Sequence, residues 1–273
     1  MTGNLYPEFR ALFEEYSAIL LANQLLDDKQ HVPFAQLFGD IEDRNADERS
    51  SDEAFRVPEV SNIDLDGSLI GASDLHWLHL KSNMLWHADS TFLPRPALTN
   101  ILISRVNPSS GGNAEPASTR VARAESPEKL RKKIRGKGIH HKYSHSRARM
   151  SEELSKQPAF HKWSDQHWNA IRTNPVNSGE ALYVASHAFA VDGYDETDGA
   201  ELIDELIEFC TKDDFVHSHQ WRGGDILIWD QRAVLHRGTP WPYDEPRKLS
   251  SICATVEAED GLESMKVTND LTV

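Results

Sequence analysis

The stretch "GDILIWDQRAVLHRG", residues 224–238, decides the fold of this chain. A glycine turn leads into the apolar run "ILIW", and a second apolar run, "AVL", follows a few polar residues later. Short apolar, β-branched runs that are bounded by turn residues are typical of buried strands. We therefore predict two consecutive strands here, the second of which contains His236.

The rest of the chain has the same character, with helices added early and between strands. We predict strands at residues 17–24, 97–106, 180–186 and 248–258, the first of them buried. We predict helices at residues 7–18, 27–39 and 127–134, and a further helix that Asp198 caps. Strands dominate the middle and the end. This order predicts an α+β fold with an antiparallel sheet or barrel that carries the site.

Composition and charge exclude several classes of protein. The chain has 273 residues, 39% of them hydrophobic, and a net charge of −14. A protein this acidic is a poor general binder of nucleic acid or anionic lipid. No apolar run is long enough to span a membrane, the start is too polar for a signal peptide, and the two cysteines form no CxxC pair. We expect a cytoplasmic protein with neither nucleic-acid nor membrane partners.

The segment "LWHADSTF", residues 85–92, holds two side chains that can bind metals. On a strand, His87 and Asp89 would point to the same face, because side chains two positions apart do so. His236 is the best candidate for a third ligand. Two histidines and one carboxylate form the ligand set of non-haem Fe(II) oxygenases, which leaves positions open for a co-substrate and O₂.

Other histidine groups compete with this one. His141 and His145 are four residues apart and could share a helix face, as a zinc pair does. His217 and His219 repeat the spacing of two. Neither group has a third ligand placed with it, and an ordinary hydrogen-bonded histidine is the alternative for every one of them.

The surroundings of these ligands carry a family resemblance. The segments "SNMLWHADSTFLPRPA", residues 82–97, and "WRGGDILIWDQRAVLHRGTPWPYDEPR", residues 221–247, resemble the TauD/TfdA family of Fe(II)- and 2-oxoglutarate-dependent dioxygenases, and most closely its 2,4-dichlorophenoxyacetate dioxygenase branch. The resemblance extends from about residue 5 to residue 256. It implies a double-stranded β-helix (jelly-roll) core with flanking and inserted helices.

The resemblance also implies roles for individual residues. His87, Asp89 and His236 match the iron ligands of the family. Arg247, eleven positions after His236, matches the residue that binds the far carboxylate of 2-oxoglutarate. Trp229 matches a tryptophan that packs beside the co-substrate, although a plain core aromatic is the alternative.

The implied function is hydroxylation of a small organic substrate, with Fe(2+), 2-oxoglutarate and O₂ as cofactors and co-substrates and succinate and CO₂ as co-products. We expect one domain over residues 1–273, with N-terminal helices in 5–40 and a jelly-roll core over about 60–260 that contains a helical insert at about 115–175. For the substrate site we predict Asn83, Ser90 and Ser251, with help from the insert near residues 141–147. A homo-oligomer is left open.

The sequence departs from the family at three places. Ala114, in "GGNAEP", stands where the family has a threonine that also contacts 2-oxoglutarate, so Ser104 or Thr119 would have to supply that donor. Ser251 stands where many relatives that act on anions have an arginine. The chain also starts almost at the first helix, which predicts a bare or partner-filled sheet edge.

Two other functions compete with the active dioxygenase. Ala114 and the short start favour a degenerate jelly-roll protein that binds a metal or small molecule but turns over poorly. A zinc hydrolase could use the same three ligands. Arg247 favours iron, because it provides charge for a bidentate oxoacid.

Overall fold

The computed structural model describes residues 5–50, 52–71 and 74–267. The α-helices are α1 (Tyr6–Tyr16), α2 (Asp28–Ala35), α3 (Leu75–Ser82), α4 (Thr119–Glu125), α5 (Glu128–Ile134), α6 (Tyr143–Ala148), α7 (Glu152–Ser155), α8 (Glu196–Cys210) and α9 (Leu262–Met265). Two short 3₁₀ turns, Pro158–Phe160 and Asp213–Phe215, lie between them.

The strands are β1 (Ala18–Leu21), β2 (Glu59–Ser61), β3 (Ala97–Val106), β4 (Ala114–Ser118), β5 (Gly138–His141), β6 (Gln166–Asn169), β7 (Ile171–Thr173), β8 (Glu180–Leu182), β9 (Ala188–Val191), β10 (Ile226–Asp230), β11 (Val234–Gly238) and β12 (Lys248–Thr255). The main sheet has five antiparallel strands in the order β1-β10-β3-β12-β2. Smaller antiparallel sheets pair β11 with β4, β5 with β6 and β9, and β7 with β8.

Both faces of the main sheet are covered by other elements. Side chains alternate between these two faces along each strand. On one face, isoleucines of β3, β10 and β12 pack against Phe9 and Phe13 of α1 and against α2. On the other face, Leu227 and Trp229 of β10 pack with Ala114 of β4 and Val234 of β11. The β4–β11 pair therefore forms a second layer over the main sheet.

Several predicted elements are confirmed, and two predictions are corrected. The strand predicted at 97–106 is β3 without change, and the two strands of the opening segment are β10 and β11. The strand predicted at 17–24 is β1, which lies at the sheet edge and is not buried, because it pairs with β10 alone. Asp195, not Asp198, caps α8, since its carboxylate accepts a hydrogen bond from the Asp198 amide.

The segment from about 115 to 175 contains the short helices α4–α7 and also strands β5–β7, so it is not purely helical. Leu202, Ile203 and Leu206 of α8 pack on β9 and share one apolar cluster with Leu130, Ile134 and Ile139 of this segment. Within the described ranges, no helix combines the length and the apolar character that crossing a membrane requires.

We expect His31 to make the protein acid-sensitive. His31 in α2 is fully buried, its Nε2 lies 3.1 Å from the Ile101 carbonyl oxygen, and burial lowers its pKa to about 4. In the unfolded chain the imidazole has its ordinary pKa of about 6.5, so on acidification the unfolded state takes up the proton first. His31 alone should therefore reduce the free energy of unfolding by about 2 kcal/mol between pH 7 and pH 5.

The variant His31→Gln keeps a side-chain donor but does not titrate. Denaturant unfolding of both proteins at pH 7, 6 and 5 should show a smaller loss of stability in the variant. A loss of the same size in both proteins would show that His31 is not the responsible group.

Candidate metal centre

His87 and His236 are brought together by their own backbones. The His87 amide donates to the His236 carbonyl oxygen at 3.0 Å, and the His236 amide donates back to His87 at 2.8 Å. This bridge adds the His87 segment to the edge of β11. The predicted strand through His87 and Asp89 is wrong, because only His87 makes a strand-like bridge and Asp89 lies in a turn with Ser90 at a φ of 61°.

The three predicted metal ligands converge in spite of that turn. His87 Nε2 lies 3.7 Å from Asp89 Oδ1, and His236 Nε2 lies 3.4 Å from Asp89 Oδ2. The two imidazole centroids are 4.2 Å apart, and the candidate ligand atoms all lie within 4.8 Å of one another. These three side chains could therefore bind one metal ion.

Their protonation also suits a metal. Burial lowers the pKa of His87 and lowers that of His236 to about 3, so both imidazoles are neutral at pH 7. Burial opposes ionisation of Asp89, but the two imidazoles and the Asn100 amide outweigh it and hold the carboxyl pKa below its usual range. His87 Nδ1 faces the Leu85 carbonyl oxygen at 2.7 Å, which leaves Nε2 free as a lone-pair donor.

The Asp89 carboxylate is held by two amide side chains that the sequence analysis missed. Asp89 Oδ2 accepts from Gln231 Nε2 at 2.6 Å and from Asn100 Nδ2 at 2.7 Å, while the Asp89 amide donates to Gln231 Oε1 at 2.9 Å. Ser251 Oγ donates to Asn100 Oδ1 at 2.9 Å and so fixes which way the Asn100 amide faces. Ser251, which was predicted to contact substrate, thus supports Asn100. It also lines the two cavities, described below, that adjoin His87 and Asp89.

A cavity of about 100 Å³ adjoins the three ligands on one side. Its walls include Trp229, Ala114 and Arg247, all of which the sequence placed near a co-substrate. The Trp229 ring lies 4.4 Å from the His236 ring. Ser104 and Thr119 do not line this cavity, whereas Thr239, which the sequence analysis missed, does.

Arg247 is a buried cation at the wall of this small cavity. Its Nε and Nη2 donate to the Gly112 carbonyl oxygen at 3.1 and 2.9 Å, and burial lowers its pKa to about 10. No carboxylate of the described residues forms an ion pair with it. Gly112 has a φ of +65°, and a Cβ there would lie 2.8 Å from Arg247 Nε, so the guanidinium position depends on glycine.

A second cavity, of about 620 Å³, also reaches His87 and Asp89. Tyr143 and Arg147 of the insert line it, as expected, and so does Asn83. Ser90 lines neither cavity. It is fully buried, and its hydroxyl accepts a hydrogen bond from Arg44, so the prediction that it contacts substrate is corrected.

A rim loop, residues 42–49 and 53–56, forms much of the edge of this larger cavity. Arg44 turns inward from it and is the signal that could have revealed its role. A single arginine between acidic neighbours is easily misread as part of a solvated charge run.

The competing histidine groups do not form metal sites in the part of the chain that the structure describes. His141 is buried with Nδ1 3.0 Å from Thr91 Oγ1, and His219 pairs with Asp225. A third group, His140, His167 and Asp192, is compact. Its two imidazoles stack at 4.0 Å with planes 11° apart, so their in-plane lone pairs run parallel and do not meet at one ion.

Comparison with known proteins agrees with this geometry. Residues 2–253 match the family described as "Taurine catabolism dioxygenase TauD, TfdA family". An alpha-ketoglutarate-dependent 2,4-dichlorophenoxyacetate dioxygenase of Burkholderia sp. (strain RASC) is 30% identical over 86% of this chain and 80% of its own length. An (S)-phenoxypropionate/alpha-ketoglutarate-dioxygenase of Sphingobium herbicidovorans is 27% identical over 88% and 82%.

A solved structure gives the same result for the fold. The crystal structure of AAD-2 in complex with Mn(II) and N-oxalylglycine matches with a TM-score of 0.85 and 27% identity, and covers 93% of this chain and 88% of that one. The family match extends over most of the chain and includes all three converging ligands. The chain therefore belongs to the TauD/TfdA family of Fe(II)- and 2-oxoglutarate-dependent dioxygenases.

Proposed function

We propose that this chain hydroxylates a small organic substrate with Fe(II), 2-oxoglutarate and O₂, and that His87, Asp89 and His236 hold the iron. The observation that carries the proposal is the convergence of two neutral imidazoles and one carboxylate within 4.8 Å, beside a cavity with a buried arginine. Two nitrogens and one carboxylate oxygen are a donor set suited to Fe(II), and leave coordination positions for other ligands. Bound iron would supply the activation of O₂, which side chains alone do not provide.

Arg247 is proposed to bind the far carboxylate of 2-oxoglutarate. A guanidinium without a carboxylate partner is costly when buried, and an oxoacid would provide the missing charge in a bidentate geometry. Ala114 leaves room in the same cavity but no hydroxyl donor. Thr239 Oγ1 accepts a hydrogen bond from the backbone N–H of Asn113 at 2.9 Å and still has its own hydroxyl hydrogen to donate. Thr239 is therefore a better candidate than Ser104 or Thr119 for the missing donor to 2-oxoglutarate.

We propose a double-stranded β-helix for the core. The support is the packing of β4 and β11 over the inner face of the five-stranded sheet, together with the likeness to AAD-2. The complete ligand set and Arg247 favour the active enzyme over the degenerate protein that Ala114 suggested. A single domain, a cytoplasmic location and a homo-oligomer remain predictions.

The substrate is proposed to occupy the cavity of about 620 Å³, because that cavity reaches His87 and Asp89 while Arg247 lines only the smaller one. Two relatives act on aryloxyalkanoates, according to their names. A compound of that size fits a pocket of this volume. Succinate formation with a panel of small carboxylates, amino acids and aryloxy acids tests the reaction and identifies the substrate.

We expect Asp89→Ala to abolish 2-oxoglutarate turnover. The change removes the one charged ligand, so iron binding should weaken severely. Succinate release with Fe(II) is the measurement, and circular dichroism verifies the fold. Asp66→Ala, an exposed carboxylate in a distant turn, is the matched control and should retain full activity. Undiminished succinate in Asp89→Ala would exclude Asp89 as a ligand.

Gln231→Leu should weaken metal binding while the three ligands remain. The variant loses the two hydrogen bonds that orient Asp89, and loss of such supporting partners typically costs about 10- to 100-fold in metal affinity. Titration with Mn²⁺, followed by the electron paramagnetic resonance of the free ion, measures this without turnover. Gln24→Leu, at an exposed position, is the control. Equal affinities for native protein and Gln231→Leu would contradict the role of Gln231.

Arg247→Ala and Ala114→Thr should change the KM for 2-oxoglutarate in opposite directions. Removing one partner of a buried charge pair costs about 2–5 kcal/mol, which raises the KM roughly thirtyfold or more. Ala114→Thr adds a donor and should lower it several-fold. The measurement is succinate release against 2-oxoglutarate concentration, with exposed Arg135→Ala as the control.

An unchanged KM in Arg247→Ala would mean that the carboxylate binds elsewhere or that the co-substrate is another compound. A native chain without turnover that Ala114→Thr activates would instead favour the degenerate protein.

A further inference from the structure

Arg147 in α6 is a buried cation in the wall of the larger cavity. It is 6% exposed, its Nε has no hydrogen-bond partner, and burial lowers its pKa. Its hydrogen bonds go to neutral hydroxyls, because Nη1 donates to Ser146 Oγ at 3.1 Å and Nη2 to Tyr143 Oη at 3.3 Å. The guanidinium carbon also lies 4.7 Å from the Tyr143 ring centroid and 5.5 Å from that of Phe160. No carboxylate of the described residues forms an ion pair with it, so its positive charge is uncompensated in the free protein.

Arg44 adds a second cation to the same place from the rim loop. Its Nη1 donates to the same Tyr143 hydroxyl at 3.3 Å, and its Nε pairs with Glu42 at 2.5 Å. Glu42 therefore neutralises the charge of Arg44, whereas the charge of Arg147 has no paired carboxylate among the described residues. Asp89 also faces these arginines, but it belongs to the proposed metal site, where a divalent cation would take up its charge.

The surface between the two guanidinium groups is aromatic. Phe92 and Tyr143 stack face to face with centroids 3.8 Å apart and planes 4° apart, and His187 packs edge-on against both. Burial lowers the pKa of His187 well below its usual value, so it contributes no charge. The wall thus presents flat, apolar rings with a cationic end at Arg147.

The position that carries an arginine for the substrate anion in similar enzymes is uncharged in this chain. Ser251 stands where similar enzymes that act on anions have an arginine, and its hydroxyl is hydrogen-bonded to Asn100. The Ser251 hydroxyl offers a negative group no positive charge. Arg147 lies in α6, within the insert near residues 141–147 that was predicted to help form the substrate site.

We propose that Arg147, assisted by Arg44, binds a carboxylate of the substrate and selects acids over neutral compounds. This inference rests on the proposed function. The two cavities meet at His87 and Asp89, and each has one buried arginine without a carboxylate partner. Arg247 serves the co-substrate and Arg147 the substrate, so the two anions bind in different cavities that both reach the candidate metal ligands.

The test compares acids with their isosteric amides and needs no turnover. The protein is loaded with Mn²⁺ and N-oxalylglycine, and binding of acetate, phenylpropionate and phenoxyacetate is measured against the matching amides by calorimetry. We expect at least one acid to bind about tenfold or more tightly than its amide. Arg147→Met should remove about 10- to 100-fold of the acid affinity, as loss of hydrogen bonds to a charged group does, and leave the amide within about threefold.

Arg149→Met is the matched control, because Arg149 lies two residues further along at the exposed end of α6 and faces Asp204. It should retain the native preference. If Arg147→Met does not fold, Arg147→Lys and Arg44→Gln take its place, and both should reduce the preference for the acid.

The proposal is overturned if no acid binds better than its amide, or if Arg147→Met weakens acid and amide equally. Failure of the dioxygenase proposal is a separate result: absence of succinate from the native chain with Fe(II) and every panel compound. The binding preference is measured independently of that outcome.

Discussion

The turn between β10 and β11 connects the core of the protein to its candidate metal site. Arg232 in this turn pairs with Asp230 at 2.8 Å and with Glu14 of α1 at 2.5 Å, and all three side chains are buried. Breaking a buried ion pair by removing one partner typically costs about 3–5 kcal/mol, so the backbone of the turn has little freedom. Gln231, between the two charged residues, extends the other way and holds Asp89. The N-terminal helix therefore helps to orient a candidate metal ligand, although Glu14 itself pairs with Arg232.

The candidate metal ligands and the two adjoining cavities differ in the charges that they carry. The candidate metal ligands are two neutral imidazoles and one carboxylate. Each of the two adjoining cavities contains a guanidinium that hydrogen-bonds a carbonyl oxygen or hydroxyls and lies over an aromatic ring. A buried cation with such partners is unfavourable until an anion arrives. The donor set of the candidate ligands suits a divalent cation, and the two guanidinium groups suit organic anions.

The sequence predicted those parts of the fold that depend on local pattern. Strand β3 was predicted to the residue because its apolar run is long and β-branched. Strand β4 was missed, since it is short, contains Pro116 and is formed only by pairing with β11 and with residues 216–219. Its place in the sheet depends on contacts distant in sequence, which no local pattern contains.

The candidate site was predicted in part and for partly incorrect reasons. His87, Asp89 and His236 do converge, but through a backbone bridge and a turn, not through the alternation of a strand. Gln231 and Asn100 could not be predicted, because an amide that orients a carboxylate looks like any polar residue until the two are seen together. Arg147 had the same disadvantage: its significance lies in its burial without a counter-charge.

The acidic rim of the larger cavity has a kinetic consequence. Lys162 holds this loop through Asp47 and Glu48 at 2.5 and 3.1 Å, so its carboxylates stay at the entrance. An acid that approaches this entrance is first repelled, in a protein whose net charge is already −14. Salt screens such repulsion over roughly 8–10 Å at physiological ionic strength. We therefore expect added salt to accelerate the association of a negatively charged substrate and to affect its final binding to a buried arginine less.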